Sequence, residues 1–351
     1  MSLADRLAAR IRSDGPMPLS DYMTACLLDP SDGNYATRDP FGAAGDFVTA
    51  PEISQMFGEC LGLALAQAWL DQGSPAPVTL AEPGPGRGTL MADVLRATRG
   101  VPGFHAAARV HLVEASSFLR AAQAAVVPEA TWHDTLDTLP EAPLFLVANE
   151  FFDALPIRQF QRDGDAWRER VVGLSEGRLA LGLTDPAPLA ALAHRLEDTK
   201  DGDIVEWCPA AIPAAQAIGG RIARHGGAAL IVDYGDWTSL GDTFQAVRGH
   251  APVDPFDAPG TADLTAHVDF AELARAAAPA RHSRVTPQGV LLERLGITAR
   301  AQALADRAEG SAREAVIAAH RRLTHPYEMG QHFKALGLFP DGAAPPPGVM
   351  A

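Results

Sequence analysis

The stretch Val78-Thr79-Leu80-Ala81-Glu82-Pro83-Gly84-Pro85-Gly86-Arg87-Gly88, running into Thr89-Leu90-Met91-Ala92-Asp93-Val94-Leu95, decides the fold. A short apolar run stops at an acid, three alternate glycines follow, and a helical apolar spacing begins. That pattern reads as strand, tight loop and helix. Glycines let the backbone turn sharply and let a ligand approach the main chain closely. Further along, Val110-His111-Leu112-Val113 ends at Glu114, and Thr131-Trp132-His133-Asp134 follows a helical stretch. Leu144-Phe145-Leu146-Val147-Ala148 ends at Asn149-Glu150, and Ala228-Ala229-Leu230-Ile231-Val232 ends at Asp233-Tyr234-Gly235. Apolar strands alternating with helices predict an α/β fold, a parallel sheet covered on both faces.

The flanking segments have other textures. Leu3, Leu7 and Ile11 form the stripe of a first helix, and residues 16–28 read as a second, capped by Ser20. Residues 29–51 read as a long loop, of the kind that is usually functional. A helix over 52–70 carries a wide apolar face of Ile53, Phe57, Cys60, Leu61, Ala64 and Trp69. Residues 157–162 and 166–174 flank Asp163-Gly164-Asp165 as an antiparallel hairpin inserted in the α/β domain. Residues 183–200 and 209–225 read as helical, 236–268 as mostly irregular and 269–336 as mostly helical. The tail after residue 340 shows no packing signal, and no internal repeat is present.

Composition narrows the function. Of 351 residues, 47% are hydrophobic and 21% charged, which excludes general disorder. A net charge of -14 argues against a general nucleic-acid coat but not against a cationic substrate. Only Lys200 and Lys334 are lysines, so a coding bias toward arginine explains much of the basic content. Residues 273–325 nonetheless carry nine arginines against four acids, and no motif accounts for them. Cys26, Cys60 and Cys208 form no CxxC pair, which speaks against a disulfide framework or a zinc site and fits a reducing compartment. No apolar run approaches the roughly 20 residues of a membrane span. The first residues lack a secretory h-region, and Asp5 and Asp14 disfavour a mitochondrial presequence. A bacterial cytoplasm is expected, with the mitochondrial matrix as the alternative.

Two ligands compete for the glycine loop. A dinucleotide site wants its third glycine one residue later than Gly88, and Glu82 would repel a pyrophosphate. S-adenosylmethionine instead carries a sulfonium and an ammonium, which an acid at the strand end favours. Glu114, 26 residues past Gly88, stands where a carboxylate accepts hydrogen bonds from two ribose hydroxyls. The competing reading of Glu114 is a solvated strand end.

These residues resemble the class I S-adenosylmethionine-dependent methyltransferases. More specific segments narrow the resemblance: Asp39-Pro40-Phe41-Gly42, then Gly45-Asp46-Phe47-Val48-Thr49-Ala50-Pro51-Glu52-Ile53-Ser54, then Asn149-Glu150-Phe151-Phe152-Asp153-Ala154-Leu155-Pro156. Asp233-Tyr234-Gly235 and Thr265-Ala266-His267-Val268-Asp269-Phe270 complete the set. Together they are similar to the MidA-type methyltransferases, relatives of the mitochondrial assembly factor for respiratory complex I, over residues 15–338. The resemblance implies a Rossmann-like class I methyltransferase sheet with helices on both faces, an N-terminal helical segment, an antiparallel β insertion and a helical C-terminal region. It implies arginine N-methylation giving symmetric dimethylarginine on a complex I core subunit. Tyr35 without a second tyrosine beside it, and Gln331 where an acid is frequent, are departures that bear on substrate detail.

The expected organisation is 1–75 for N-terminal helices and a substrate and cofactor loop, and 76–150 for the cofactor-binding core. The hairpin and helices of 151–225 follow, then remaining strands, substrate loop and helices over 226–340, and a flexible tail over 341–351. Cofactor contacts are expected from Glu82, Gly84, Gly86, Gly88, Glu114, Asp134, Asp46 and Asn149, with Asp134 at the adenine amino group and Trp132 either over the ring or simply buried. Catalytic candidates are Glu150 as the main guanidinium clamp, Asp153 in the same loop, and His267. Asp46 and Glu52 flank the N-terminal loop where they would line the cofactor or the substrate, though Glu52 serves equally as a first-turn helix acid, Asp153 as a turn cap, and His267 with Asp269 as a packed polar pair. No metal-ligand spacing and no serine nucleophile elbow is present. Partners are an arginine-containing protein, no nucleic acid, no inserted membrane, and a homodimer drawing on Leu174, Leu179, Leu181 and Leu183. A same-fold enzyme for a small molecule and a non-catalytic assembly chaperone are the rival functions.

Overall fold

The computed structural model describes residues 1–37 and 48–351. The chain forms two compact units, each assembled from separated stretches. The larger holds Val48–Phe152, Ile212–Trp237 and Phe270–Ala351. Its main strands are β1 (Val78–Pro83), β2 (Ala108–Val113), β3 (Thr131–His133), β4 (Leu144–Asn149), β5 (Gly227–Asp236) and β6 (Phe333–Phe339). They lie in the order β6-β5-β4-β1-β2-β3, with the two-residue strand Arg281–His282 beyond β6. Strands β1 to β5 are parallel, and β6 runs antiparallel to β5. Every residue of β1 and β4 is buried, so the sheet is covered on both faces, as the continuous apolar runs require. From β1 the chain goes to β2 and β3 on one side and returns to β4 on the other. Open α/β sheets hold ligands beyond the strand ends at such a reversal.

Three helices frame that point: α1 (Gln55–Asp71), α2 (Thr89–Thr98) and α3 (Ser117–Val126). Ser54 caps α1 by accepting the Met56 N–H. Phe57, Cys60, Leu61, Ala64 and Trp69 of α1 are buried with Leu80, Met91, Val94 and Phe145 in one core. α1 and α2 approach so closely that a Cβ on Gly62 would lie 2.8 Å from the Val94 Cα. Glu59 is buried on α1 and accepts 2.6 Å hydrogen bonds from both Arg96 of α2 and Arg300. Arg300 sits on the helix Ile297–Ala305, so part of the unexplained arginine excess fastens the C-terminal helices to the sheet layer.

The C-terminal part differs from expectation in two places. Helices Phe270–Ala276, Gln288–Arg294, Ile297–Ala305 and Gly310–Thr324 are present, but β6 follows where helix was expected to continue to residue 336. Pairing with β5 buries Ala335, Leu336, Leu338 and Phe339, and that tertiary gain overrides local pattern. The tail is packed rather than loose. Val349 joins the core, the Met350 carbonyl accepts the Arg284 N–H at 2.7 Å, and the Gly348 carbonyl accepts Arg294 at 3.0 Å.

The smaller unit holds Met1–Phe47, Asp153–Ala211 and Thr238–Asp269. Its expected hairpin is present: Arg158–Asp163 pairs with Ala166–Ser175 in the register Asp163 to Ala166, around Gly164 at φ 57°. Arg178–Leu183 and Ile204–Trp207 extend the sheet. Leu3, Leu7 and Ile11 pack with Tyr22, Met23, Cys26 and Leu27. Ser20 is not a cap, because Pro18 already ends a short strand and the helix starts at Leu19. Residues 184–200 hold only the 3-10 turn Ala190–Leu196. The stretch read as irregular contains an antiparallel sheet of Gln245–Arg248, Ala251–Val253 and Asp263–Thr265. Leu174, Leu179 and Leu181 pack partly buried against the unit's own core, and Leu183 stays exposed.

Candidate active site

Glu82 stands on β1 and Asn149 ends β4, the two strands between which the chain order reverses. Glu82 is 3% exposed, and among the described residues its Oε2 has no hydrogen-bond partner. Burial pushes its carboxyl up to about 8, while the Met91 backbone acts weakly the other way. Asn149 is 7% exposed, and its Oδ1 also lacks a partner. A buried polar atom left unpaired costs about 1–3 kcal/mol, and native structures keep few of them. Two acceptors with no donor at one switch point therefore fit a ligand that brings N–H groups and positive charge.

The glycine loop lies beside them. Gly84, Gly86 and Gly88 take φ values of 60°, 53° and 84°. At Gly84 a Cβ would come within 2.9 Å of the Phe151 ring, and at Gly88 within 3.0 Å of Val126. The Gly84 N–H donates to the Val113 carbonyl at 2.9 Å, which ties the loop to the end of β2. Glu114, just past β2, is 9% exposed and so is no solvated strand end. Its Oε1 accepts the Ser116 N–H at 2.7 Å and its Oε2 accepts Gln123 Nε2 at 3.1 Å. Burial raises the Glu114 carboxyl, and those two donors oppose the rise. Trp132 Nε1 donates to Gln123 Oε1 at 2.8 Å, so the indole is held beside this carboxylate.

Glu150 closes the arrangement. Its N–H donates to the Val232 carbonyl at 2.9 Å, and its φ is 49°. A non-glycine residue held there costs about 1–3 kcal/mol, a strain that clusters at functional sites. Its Oε1 accepts the Ala50 N–H at 3.2 Å and Asn149 Nδ2 at 3.0 Å. Glu52 accepts the Thr89 hydroxyl at 2.6 Å and lies 3.7 Å from Arg87. Residues 50–52 thus link the end of β4 to the glycine loop and the start of α2. Buried Asp233 accepts the N–H groups of Phe152 and Tyr234, which fixes the loop after β4.

This site has recognisable relatives. The family described as S-adenosyl-L-methionine-dependent methyltransferase matches residues 60–288. A Drosophila melanogaster protein named protein arginine methyltransferase NDUFAF7 homolog, mitochondrial, is 37% identical over 97% of this chain and 85% of its own length. The chain belongs to the S-adenosyl-L-methionine-dependent methyltransferases. The Homo sapiens protein arginine methyltransferase NDUFAF7, mitochondrial, is 35% identical over 95% of this chain and 82% of its own. A Burkholderia thailandensis crystal structure bound to S-adenosyl-homocysteine superposes with a TM-score of 0.82 at 31% identity, covering 97% of this chain and 93% of that one. The cofactor of this methyltransferase is S-adenosyl-L-methionine, and the α/β sheet expected from the sequence is its fold.

The remaining sequence candidates fall in other places. Asp134 of the methyltransferase is 83% exposed at the side chain and pairs with Arg120, which also donates to the Glu114 carbonyl. Asp46 lies outside the described residues. Asp153 and His267 belong to the smaller unit. Asp153 is buried, and its carbonyl accepts the Ala266 N–H at 3.0 Å. His267 is exposed, and its N–H donates to Thr243 Oγ1 at 2.8 Å. Asp269 accepts the Ser239 N–H at 3.0 Å and lies 3.8 Å from Arg195. Glu82, the three glycines, Glu114, Asn149 and Glu150 are brought together in the larger unit. Among the described residues no cluster of three metal-ligating side chains occurs and no helix is long and apolar enough to cross a membrane.

Sequence reasoning missed Gln123 and the Ala50 N–H. Gln123 follows Leu119 by four residues on α3 and is buried with it. That spacing was a usable signal. A backbone N–H leaves none.

Proposed function

We propose that this methyltransferase modifies arginine in a protein, forming symmetric dimethylarginine on a core subunit of respiratory complex I and so aiding its assembly. The names of the curated relatives support the arginine step, and the family resemblance supports the complex I step. The observation that carries the reading is the carboxylate of Glu150, strained and oriented at the end of β4 beside the two unpartnered acceptors.

S-adenosyl-L-methionine bound at the switch point supplies an electrophilic methyl group on a sulfonium. Glu82 and Asn149 hold its cationic amino end, Gly84, Gly86 and Gly88 allow close approach, and Glu114 accepts the ribose hydroxyls. Trp132 and Asp134 serve the adenine end, and Asp46 the cofactor loop. A guanidinium keeps its proton at neutral pH, with a pKa above about 12, so it needs a fixed carboxylate. Glu150 holds it and aligns one nitrogen for transfer; the N–C bond forms as the S–C bond breaks with its electron pair left on sulfur, and the nitrogen gives up one proton to solvent. Asp153 and His267 enter as separate substrate-side candidates, each to be tested alone. For location, the curated relatives are named mitochondrial, which supports the matrix alternative. A homodimer is a separate proposal, supported by exposed Leu183 alone.

Glu150→Gln tests the catalytic part. The variant keeps S-adenosylhomocysteine binding and loses arginine methylation of a complex I subunit by about 100-fold or more, the scale of losing one fixed electrostatic contact in a transition state. Unchanged turnover removes Glu150 from the role.

A further inference from the structure

Gln123 is completely buried, and its side-chain amide is used at every functional atom. Nε2 donates to the Gly86 carbonyl at 2.8 Å and to Glu114 Oε2 at 3.1 Å. Oε1 accepts the Trp132 indole N–H at 2.8 Å. The orientation of the amide is settled by chemistry. A carbonyl and a carboxylate only accept, and an indole N–H only donates, so the reversed amide would face all three partners wrongly. One side chain therefore fixes the middle of the glycine loop, the ribose-side carboxylate and the aromatic ring at the adenine end.

We propose that Gln123 is the positioning residue for cofactor selection in this enzyme, acting through Glu114 on the ribose hydroxyls and through Trp132 on the base. The proposal rests on the placement of the cofactor at this site. Glu114 has one oxygen tied to the Ser116 N–H and the other to Gln123, so both are aimed before a ligand arrives. Without the Gln123 donor, Oε2 loses its fixed direction, and the buried carboxylate loses a charge-assisted hydrogen bond. The advantage of a ligand carrying both hydroxyls should shrink with it. A substitution that only loosened the fold would weaken every ligand alike.

The experiment measures dissociation constants of the full-length protein for S-adenosylhomocysteine and for its 2′,3′-dideoxy analogue, by calorimetry. It compares wild type, Gln123→Met and Gln123→Glu. In wild type the analogue binds about 30-fold more weakly or worse. In Gln123→Met the parent ligand loses about tenfold and the penalty for missing hydroxyls falls to within about threefold. The difference between those penalties is the coupling of Gln123 to the ribose. Gln123→Glu keeps an acceptor for Trp132, loses both donors and sets a second acid beside Glu114. It loses at least as much affinity as Gln123→Met. An equal hydroxyl penalty in wild type and Gln123→Met, or full affinity in Gln123→Glu, overturns the positioning role while leaving the cofactor site standing. No wild-type binding at millimolar ligand overturns the site itself, and the proposal with it.

Discussion

Two buried acids in the larger unit have opposite surroundings. Glu59 on α1 is 5% exposed and Glu82 on β1 is 3% exposed, so solvent treats them alike. Burial works against the charge of both. At Glu59, Arg300 and Arg96 outweigh it and hold the carboxyl below its ordinary value. At Glu82, among the described residues, no cation faces the carboxylate and Oε2 has no partner, and the carboxyl rises to about 8. A protein that can spare two arginines for one buried acid has left another without any. Glu59 fastens helices together with internal counterions, whereas Glu82 has the surroundings that the proposed role of holding a bound cation requires.

Four outcomes would break or sharpen that contrast. The largest effect on affinity is expected for Glu82→Gln, which should weaken S-adenosylhomocysteine binding about 10- to 100-fold, the worth of a charge-assisted hydrogen bond. Because the apo protein carries a desolvation penalty there, its thermal midpoint should hold or rise. A fall in the midpoint with affinity intact would make Glu82 structural. Glu59→Gln should do the reverse, lowering stability by about 3 kcal/mol in denaturant titration and leaving cofactor affinity within about twofold. A depressed folded pKa means that this stabilisation is present above the ordinary pKa of 4.5 and is lost as pH falls through the folded value. Wild type and Glu59→Gln should therefore converge in stability in acid.

The third outcome concerns protons. The folded pKa of Glu82 lies above its ordinary value, so the apo fold binds a proton that the unfolded chain has already lost. Stability of the apo form then declines as pH rises from about 4.5 to 8 through this group. A cationic ligand prefers the ionised form, so binding at pH 7 should be accompanied by proton release from Glu82. Calorimetry in buffers of different ionisation heat measures it, and no release would mean that Glu82 does not meet the positive group. The smallest effect belongs to Asp134→Asn. An exposed acid already paired with Arg120 makes only a weak contact at the adenine end, so affinity should change by less than about threefold, and a larger loss would make Asp134 a main adenine contact.

Much of this site was legible because strand ends announce themselves. Apolar runs that stop at Glu82, Glu114 and Asn149 mark where side chains leave the core for a crevice, and the structure gathers those three residues in one unit. The glycines were legible for a related reason, since a left-handed backbone restricts what can stand there. What stayed hidden depends on partners distant in the chain. Phe333–Phe339 becomes a strand only because β5 accepts it. Val349 and Met350 show no pattern of their own, and their docking depends on a core formed elsewhere. The spacing of Gln123 after Leu119 marks a core-facing position, but its role depends on Gly86, Glu114 and Trp132, which only the fold brings to it. Glu59 was hidden by its own helix, because a lone acid on an apolar face carries no mark of the arginine 241 positions away.

The central claim is that the unpartnered acceptors and Glu150 together serve methyl transfer to an arginine. Mass spectrometry of complex I core subunits, purified from cells with and without this gene, tests it most directly. The account predicts that a symmetric dimethylarginine present in the first preparation disappears from the second and returns with wild type but not with Glu150→Gln. The same mark persisting after deletion, or returning with Glu150→Gln, would contradict it.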